Sequence, residues 1–148
     1  MTSEGKKILI IGGGSGMGRA IAHKLAKEKA IVSIAGRRKG NLLEVAKQCE
    51  QEITICPTDV TNRDSVADLF SWFDNEVGEI DVLINAAGIN IANRSMEELA
   101  PEEWDRVINI NLTGAYNCMK EALDRMRPRQ GGLIILINSV AGRRAIPL

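Results

Sequence analysis

Short apolar runs alternate with segments of helical period along the chain, which is the pattern of strands and helices in βαβ units. Each run is apolar at nearly every position, as expected for strands that are buried on both faces of a parallel sheet. The runs cover residues 8–11, 31–35, 53–56, 80–85 and 132–138. The pattern predicts one α/β domain, residues 1–148, built around a parallel sheet.

The segments between these runs carry apolar residues at helical spacing. Thr61 and Asp64 have the spacing of a capping box, which predicts the start of a helix there. Pro101 suits the first position of another helix, because that position needs no N–H donor. Pro128 cannot continue that helix. The predicted helices lie within residues 17–25, 42–49, 61–77 and 101–127.

The balance of charge argues against two classes of partner. The chain has 19 basic and 19 acidic side chains, and no stretch accumulates one sign, which gives little support to nucleic-acid or membrane binding. No apolar run approaches the roughly 18 residues of a bilayer span, and the amino terminus lacks a signal-peptide pattern, so we expect a cytoplasmic protein. Cys49, Cys56 and Cys118 form no CxxC pair, so we expect buried thiols rather than a metal site or disulfides.

A glycine-rich turn joins the first predicted strand to the first predicted helix. Backbone amides at the start of a helix are free to face an anion, and glycine lets a phosphate approach them closely. The turn fits the spacing GxxxGxG rather than GxGxxG. The alternative is a flexible loop, but the position between a strand and a helix favours a phosphate site. The predicted contacts are Gly12, Gly14, Ser15, Gly16, Met17 and Gly18.

The end of the second predicted strand indicates which dinucleotide the turn would bind. An NAD site places an acidic residue at this point to bind the ribose 2′-hydroxyl, and this chain has none. Gly36 leaves room for an extra group, and Arg37 or Arg38 could pair with a 2′-phosphate. We therefore expect NADP(H) to be preferred over NAD(H). The alternative is that the two arginines form a solvated cluster with Lys39.

Several motifs in order resemble the short-chain dehydrogenase/reductase family. IGGGSGMG stands where the family has TGxxxGxG, with Ile11 in place of the usual threonine. Asp59 and Val60 look like the family's adenine-contacting pair. Residues 85–88 resemble its NNAG motif, which lies along the cofactor and is made here of Asn85, Ala86, Ala87 and Gly88. The resemblance covers the whole chain and implies a Rossmann-type doubly wound sheet with strand order 3-2-1-4-5.

The resemblance also implies two catalytic residues. Asn111 matches the helix asparagine that holds a water in the proton relay, and Ser139 matches the serine that binds the substrate carbonyl. Helical spacing predicts that Asn111 is buried on an apolar face, where its amide needs partners; the alternative is a kink asparagine satisfied by backbone. Ser139 follows the carboxyl end of a predicted strand, the edge where such sheets bind ligands; the alternative is a turn serine.

The family's acid/base tyrosine and its lysine follow the serine, and no such pair occurs after Ser139 in this sequence. Tyr116 and Lys120 satisfy a YxxxK search, but they precede the serine and share a helix with Asn111. Residues five apart on a helix point about 140° away from each other, so we set this match aside. We expect that the natural chain continues beyond Leu148, that the C-terminal part of the family fold is missing, and that these residues alone are inactive.

Three functions are compatible with these observations. The leading one is an NADP(H)-dependent oxidoreductase that interconverts a small-molecule carbonyl and alcohol by hydride transfer, and the resemblance implies a homo-dimer or homo-tetramer. The second is a non-catalytic NADP-binding module or regulator. The third is an interaction protein that uses the fourth helix as a dimer face. The lone histidine, His23, is expected to be a surface or half-buried residue rather than a base.

Overall fold

The computed structural model describes residues 2–92 and 95–140. Its sheet is entirely parallel and has the strand order β3-β2-β1-β4-β5, as predicted. Each strand matches one of the predicted apolar runs, with small shifts at the ends. The strands are β1 (Lys7–Ile11), β2 (Ile31–Gly36), β3 (Ile53–Pro57), β4 (Val82–Asn85) and β5 (Leu133–Leu136).

The helices connect these strands, and the last predicted helix differs from the expectation in one respect. It is interrupted by a π-helical segment, Asn109–Thr113, although the backbone stays helical at both of its ends. We refer to residues 101–126 together as the long helix. The α-helical parts of the chain are α1 (Gly16–Lys27), α2 (Lys39–Lys47), α3 (Arg63–Glu76), α4 (Pro101–Ile108) and α5 (Gly114–Met126).

The sheet separates two apolar cores. Leu9 and Ile11 of β1 belong to the core that also contains Phe70 of α3 and buried residues of α5. Ile8 and Ile10 belong to the core formed with α1 and α2. Because successive side chains of a strand point to opposite faces, β1 contributes to both cores. This confirms the doubly wound arrangement with helices on both sides of the sheet.

The predicted burial of every strand on both faces is wrong for β5. Leu133 is 49% exposed and Leu136 is 43% exposed, whereas Leu9 and Leu83 in the middle of the sheet are fully buried. The physical reason is position, since β5 pairs only with β4 and forms an edge that the described residues cover incompletely.

The predicted start of α3 is close, but the capping residue is different. Asn62 is the N-cap, and its Oδ1 accepts a hydrogen bond from the Ser65 N–H at 3.1 Å. Thr61 instead donates its N–H and its hydroxyl to Oδ1 of Asp59, at 3.0 and 2.8 Å. The predicted capping box of Thr61 and Asp64 is therefore wrong, because Asn62 is the N-cap and the Thr61 N–H that Asp64 would accept donates to Asp59 instead.

The three cysteines differ in how deeply they are buried. Cys118 is buried, and burial raises the pKa of its thiol to about 12. Cys49 and Cys56 are only half-buried, so the expectation of buried thiols holds for one of the three.

Residues 2–92 and 95–140 contain no group of three or more potential metal ligands. Within the same ranges, every helix is too short or too polar to span a bilayer.

Candidate functional site

A cavity of about 290 Å³ opens at the carboxyl ends of the central strands. Ile11 at the end of β1, Gly36 at the end of β2, Thr58 after β3 and Ala86 after β4 all line it. The strand β1 pairs with β2 on one side and with β4 on the other. The connections that follow β1 and β3 therefore lead to opposite sides of β1. Open α/β sheets bind ligands at such a switch point.

The glycine turn, residues 12–18, packs tightly against the protein itself. Gly12 has a φ of +80°, and a Cβ there would lie 2.7 Å from the backbone nitrogen of Ala87. A Cβ on Gly18 would collide with the carbonyl oxygen of Gly12. These two glycines are therefore needed for packing, whereas the sequence had suggested that they keep side chains away from a phosphate.

Gly16 has the open surroundings that were expected of the whole turn. Its φ is +52°, and apart from its chain neighbours and the backbone of its own helix no described residue has an atom within 4 Å of the position that its Cβ would take. The helix α1 begins here, and the side chain of its N-cap, Ser15, makes no capping hydrogen bond. Ser15, Gly16 and Met17 line the cavity, so the partial positive charge of the helix N-terminus faces this space.

Two arginines lie at the end of β2. Arg37 and Arg38 line the cavity, are exposed, and form no ion pair with any other residue of the described ranges. The N–H and the hydroxyl of Thr61 hold the pKa of Asp59 below its usual range, and the charge of Arg37 lowers that pKa further. Asp59 is thus an anion near Arg37, although it does not itself line the cavity.

The segment after β4 forms the opposite wall. Oδ1 of Asn85 accepts a hydrogen bond from the N–H of Ala87 at 3.1 Å, and Asn85 is only 5% exposed. The N–H of Ala86 donates to the carbonyl of Ile11 at 2.9 Å. These bonds fix the wall to the central strands and place Ala86, Ala87 and Gly88 against the cavity.

Asn111 lies in the π-helical segment and bonds to the backbone beyond that wall. Its Oδ1 accepts from the N–H of Ile89 at 2.8 Å, and its Nδ2 donates to the carbonyl of Ile89 at 2.9 Å. The predicted burial of Asn111 is wrong, because the described residues leave it exposed at the carboxyl edge of the sheet. The amide of Asn111 nevertheless bonds to backbone groups, as expected from the alternative interpretation of a kink asparagine satisfied by backbone.

Ser139 follows the carboxyl end of β5, as predicted, and is exposed. Its N–H donates to Oδ1 of Asn138 at 2.7 Å. Eleven of the sixteen predicted site residues line the cavity. The five that do not are Gly18, Asp59, Asn85, Asn111 and Ser139.

Some residues that line the cavity were not predicted. Thr58 and Ile89 adjoin motifs that the sequence did indicate, so their neighbours gave a signal. Asn41 and Leu42, in the first turns of α2, and Ile110, in the π-helical segment, gave none, because their positions depend on how the helices pack.

The sequence match at Tyr116 and Lys120 lies away from this cavity. Both residues line a separate surface groove beside Arg63 of α3, and Lys120 pairs with Asp124 on its own helix. His23 is half-buried on α1 and is also outside the cavity lining.

Comparisons with known proteins agree with this architecture. The sequence profile of the family described as short chain dehydrogenase matches residues 6–148. The chain belongs to the short chain dehydrogenase family. Members of this family are oxidoreductases and generally bind NAD(P)(H).

Two relatives and one solved structure illustrate the similarity. A 3beta-hydroxysteroid dehydrogenase of Mediterraneibacter gnavus is 38% identical over 147 residues, covering 96% of this chain and 52% of the relative. An uncharacterised oxidoreductase of Staphylococcus aureus is 37% identical over 144 residues, covering 96% of this chain and 62% of the relative. A short-chain type dehydrogenase/reductase from Mycobacterium ulcerans superimposes with a TM-score of 0.93 at 26% identity, covering 99% of this chain and 55% of that one. This short chain dehydrogenase sequence thus spans between half and two thirds of each of these proteins.

Proposed function

We propose that this chain forms the nucleotide-binding part of an NADP(H)-dependent oxidoreductase that interconverts a carbonyl and an alcohol. The observation that carries the proposal is the cavity at the switch point. It has the N-terminus of α1 on one side and two arginines without ion-pair partners in the described ranges at the end of β2.

The glycine turn is the proposed diphosphate site. The N–H groups at the start of α1 and the dipole of that helix favour an anion, and the open space beside Gly16 admits one. Gly12 and Gly18 stabilise the turn through the close contact of their backbones. The proposed contacts of the diphosphate are Gly14, Ser15, Gly16 and Met17, and Gly12 and Gly18 are proposed to act through the shape of the turn.

Arg37 and Arg38 are the proposed partners of the 2′-phosphate. No carboxylate follows Gly36 to accept the hydroxyls of an unphosphorylated ribose. Apart from the chain neighbours of Gly36, Leu42 is the only described residue within 4 Å of a Cβ added there, with its Cδ2 at 3.7 Å. A guanidinium can bind a phosphate through two parallel hydrogen bonds, so this arrangement favours NADP(H) over NAD(H).

The remaining contacts divide between the two ends of the cavity. Asp59 and Val60 are proposed to contact the adenine, and the segment of Asn85, Ala86, Ala87 and Gly88 is proposed to lie along the nicotinamide half. A nicotinamide held in this half of the cavity would supply the chemistry of hydride transfer. The protein's part is to orient the reacting groups at the carboxyl edge of the sheet.

Two residues are proposed to act on the substrate. The hydroxyl of Ser139 would donate a hydrogen bond to the substrate carbonyl oxygen. The amide of Asn111 uses one N–H and one lone pair on Ile89, which leaves a second N–H and a second lone pair for a water of the proton relay. Neither group is an acid near neutral pH, so these 148 residues alone are proposed to bind the nucleotide without turnover.

A non-catalytic NADP-binding module is the second candidate, since the same cavity would serve it. Calorimetric titration of the protein with NADPH and NADH tests the nucleotide site, and a turnover assay of the natural protein on a panel of ketones and alcohols separates the two candidates. We expect NADPH to bind more tightly than NADH, and we expect the natural protein to convert a ketone or an alcohol of the panel. The absence of heat with both nucleotides would overturn the proposal.

We also propose that the protein forms a homo-oligomer through the outer face of the long helix. Trp104 is 51% exposed, Leu112 is 64% exposed and Leu123 is 46% exposed, so this helix presents large apolar side chains to solvent. Such a surface is favourable when it packs against a second copy. Light scattering should give a mass of at least two chains, and Leu123→Glu should lower it, whereas a monomeric protein at micromolar concentration would refute the idea.

A further inference from the structure

The long helix contacts both walls of the cavity. On the side of β4, Asn111 bonds to Ile89. On the side of β3, Nδ2 of Asn117 donates to the carbonyl oxygen of Val60 at 3.0 Å. Asn117 is 5% exposed and Val60 is 6% exposed, so this second bond lies inside the protein.

Gly114 makes a second contact with the same residue. A Cβ on Gly114 would lie 2.6 Å from Cγ2 of Val60 and 3.0 Å from its Cβ. The absence of a side chain therefore lets the backbone of α5 approach Val60 directly. The backbone of α5 therefore packs against Val60, and the buried hydrogen bond from Asn117 binds its carbonyl oxygen.

The bond from Asn117 has no substitute within the described residues. The N–H groups of Thr58, Asp59 and Thr61 are satisfied by Gly36, Ser65 and Asp59 respectively, and none of these bonds involves the carbonyl of Val60. A buried carbonyl that loses its donor is costly, and the surrounding loop shifts to find another. The position of Val60 therefore depends on Asn117.

Val60 faces the half of the cavity that would hold the adenosine. The glycine turn follows the central strand β1, so a dinucleotide with its diphosphate there extends toward β2 and β3 on one side and toward β4 on the other. Val60 lines the cavity on the same side as Arg37 and Thr58. The opposite side is formed by Ala86 to Ile89.

We propose that Asn117 is a positioning residue for the adenosine half of the nucleotide. Together with Gly114 it sets how far Val60 stands from the end of β2, and thus the width of the adenosine subsite. This inference rests on the proposed function, because it assumes that a dinucleotide occupies the cavity.

The test compares the binding of the whole dinucleotide with the binding of each of its halves. Asn117→Leu removes the donor and keeps an apolar side chain of similar size. We expect the dissociation constants of NADPH and of adenosine 2′,5′-bisphosphate to rise by about ten-fold, the effect of one lost buried hydrogen bond. The dissociation constant of reduced nicotinamide mononucleotide should stay the same. The KM for NADPH should rise by a larger factor than kcat falls.

Cys118→Ala is the matched control. Cys118 is the next residue on the same helix and is fully buried in the core that also contains Val60, but among the described residues it makes no hydrogen bond to the loop after β3. This substitution should lower the melting temperature while leaving the binding of both half nucleotides unchanged. A merely structural role of Asn117 predicts the same behaviour for Asn117→Leu.

Gly114→Ala is the second variant. Alanine favours a helix more than glycine does, so α5 itself is not weakened, whereas the added Cβ pushes on Val60. It should weaken adenosine 2′,5′-bisphosphate selectively, and it decides the question if Asn117→Leu does not fold. Unchanged adenosine bisphosphate binding in a folded variant overturns the inference. A wild-type protein that binds neither NADPH nor NADH overturns the proposed function instead.

Discussion

The side chain of Asn111 binds both backbone polar groups of Ile89, with an N–H to Oδ1 distance of 2.8 Å and an Nδ2 to oxygen distance of 2.9 Å. The amide thus pairs with Ile89 as a neighbouring backbone strand would. It joins the long helix to the segment after β4 at the point where this segment leaves the cavity.

Replacing Asn111 by alanine should therefore lower the stability of the protein. Two hydrogen bonds are lost, and because the residue is exposed we expect the free energy of unfolding to fall by about 1 kcal/mol, near the low end for two such bonds. Urea denaturation measures this change. Asn109→Ala is the control, since Asn109 lies in the same π-helical segment and its side chain bonds to no other described residue. Equal losses in the two variants would contradict the expectation.

Replacing Arg37 by aspartate should change the nucleotide preference. If the guanidinium binds the 2′-phosphate, NADPH should weaken relative to NADH by roughly 1–3 kcal/mol, the range for hydrogen bonds to charged groups. Titration of the variant with both nucleotides measures the ratio. Arg19→Asp makes the same change of charge on α1 outside the cavity lining and should leave the ratio close to that of the wild type. An unaltered ratio in Arg37→Asp would remove Arg37 from the site.

Two glycine substitutions should have opposite effects on stability. An alanine at position 18 would place its Cβ against the carbonyl oxygen of Gly12, and overpacking of this kind costs roughly 1–3 kcal/mol. An alanine at position 40 meets open space in α2 and should stabilise the helix by up to about 1 kcal/mol. Thermal unfolding of the two variants and the wild type gives the sign of each change, and a neutral Gly18→Ala would show that the turn relaxes easily.

The carboxylate of Asp59 should make stability depend on pH. Its pKa is lower in the folded protein than in the unfolded chain, because Thr61 donates two hydrogen bonds to it. The stabilisation is therefore complete above the ordinary carboxyl range near pH 4 and is lost as the pH falls below it.

Thr61→Val, which removes the hydroxyl donor, should destabilise the protein by about 0.5–1.5 kcal/mol at pH 6, and the difference from wild type should shrink as the pH approaches 3. Denaturation curves between these values measure it. In an Asp59→Asn background the same substitution should have an effect that does not vary with pH. A difference that stays constant with pH in the native background would count against this account of Asp59.

The strands and the parallel sheet could be predicted because burial on both faces leaves a local signal, namely runs of consecutive apolar residues. The strand order came from the family resemblance. The exposure of Leu133 and Leu136 could not be predicted in this way, since an edge strand and a central strand can have the same sequence pattern. Edge position depends on which other segments are present to cover the strand.

Within the site, motifs that are contiguous in sequence were predictable, and contacts between distant segments were not. Most residues of the glycine turn and of the segment 85–88 line the cavity, whereas Gly18 and Asn85 do not. The π-helical segment, the exposure of Asn111 and the use of Asn62 rather than Thr61 as a cap all depend on partners elsewhere in the chain. Residues 1, 93, 94 and 141–148 lie outside the described residues, so expectations about them are untested.

The glycine turn has its final shape before a ligand binds. The N–H groups of Gly12 and Gly13 both bond to the carbonyl of Ala35, and Gly18 rests against Gly12, so folding alone gives this loop its shape. A nucleotide that docks here encounters a preorganised cradle. The conformational entropy of the loop has already been lost during folding, so association should be fast. Long side chains such as Arg37 are then the groups that become ordered on binding.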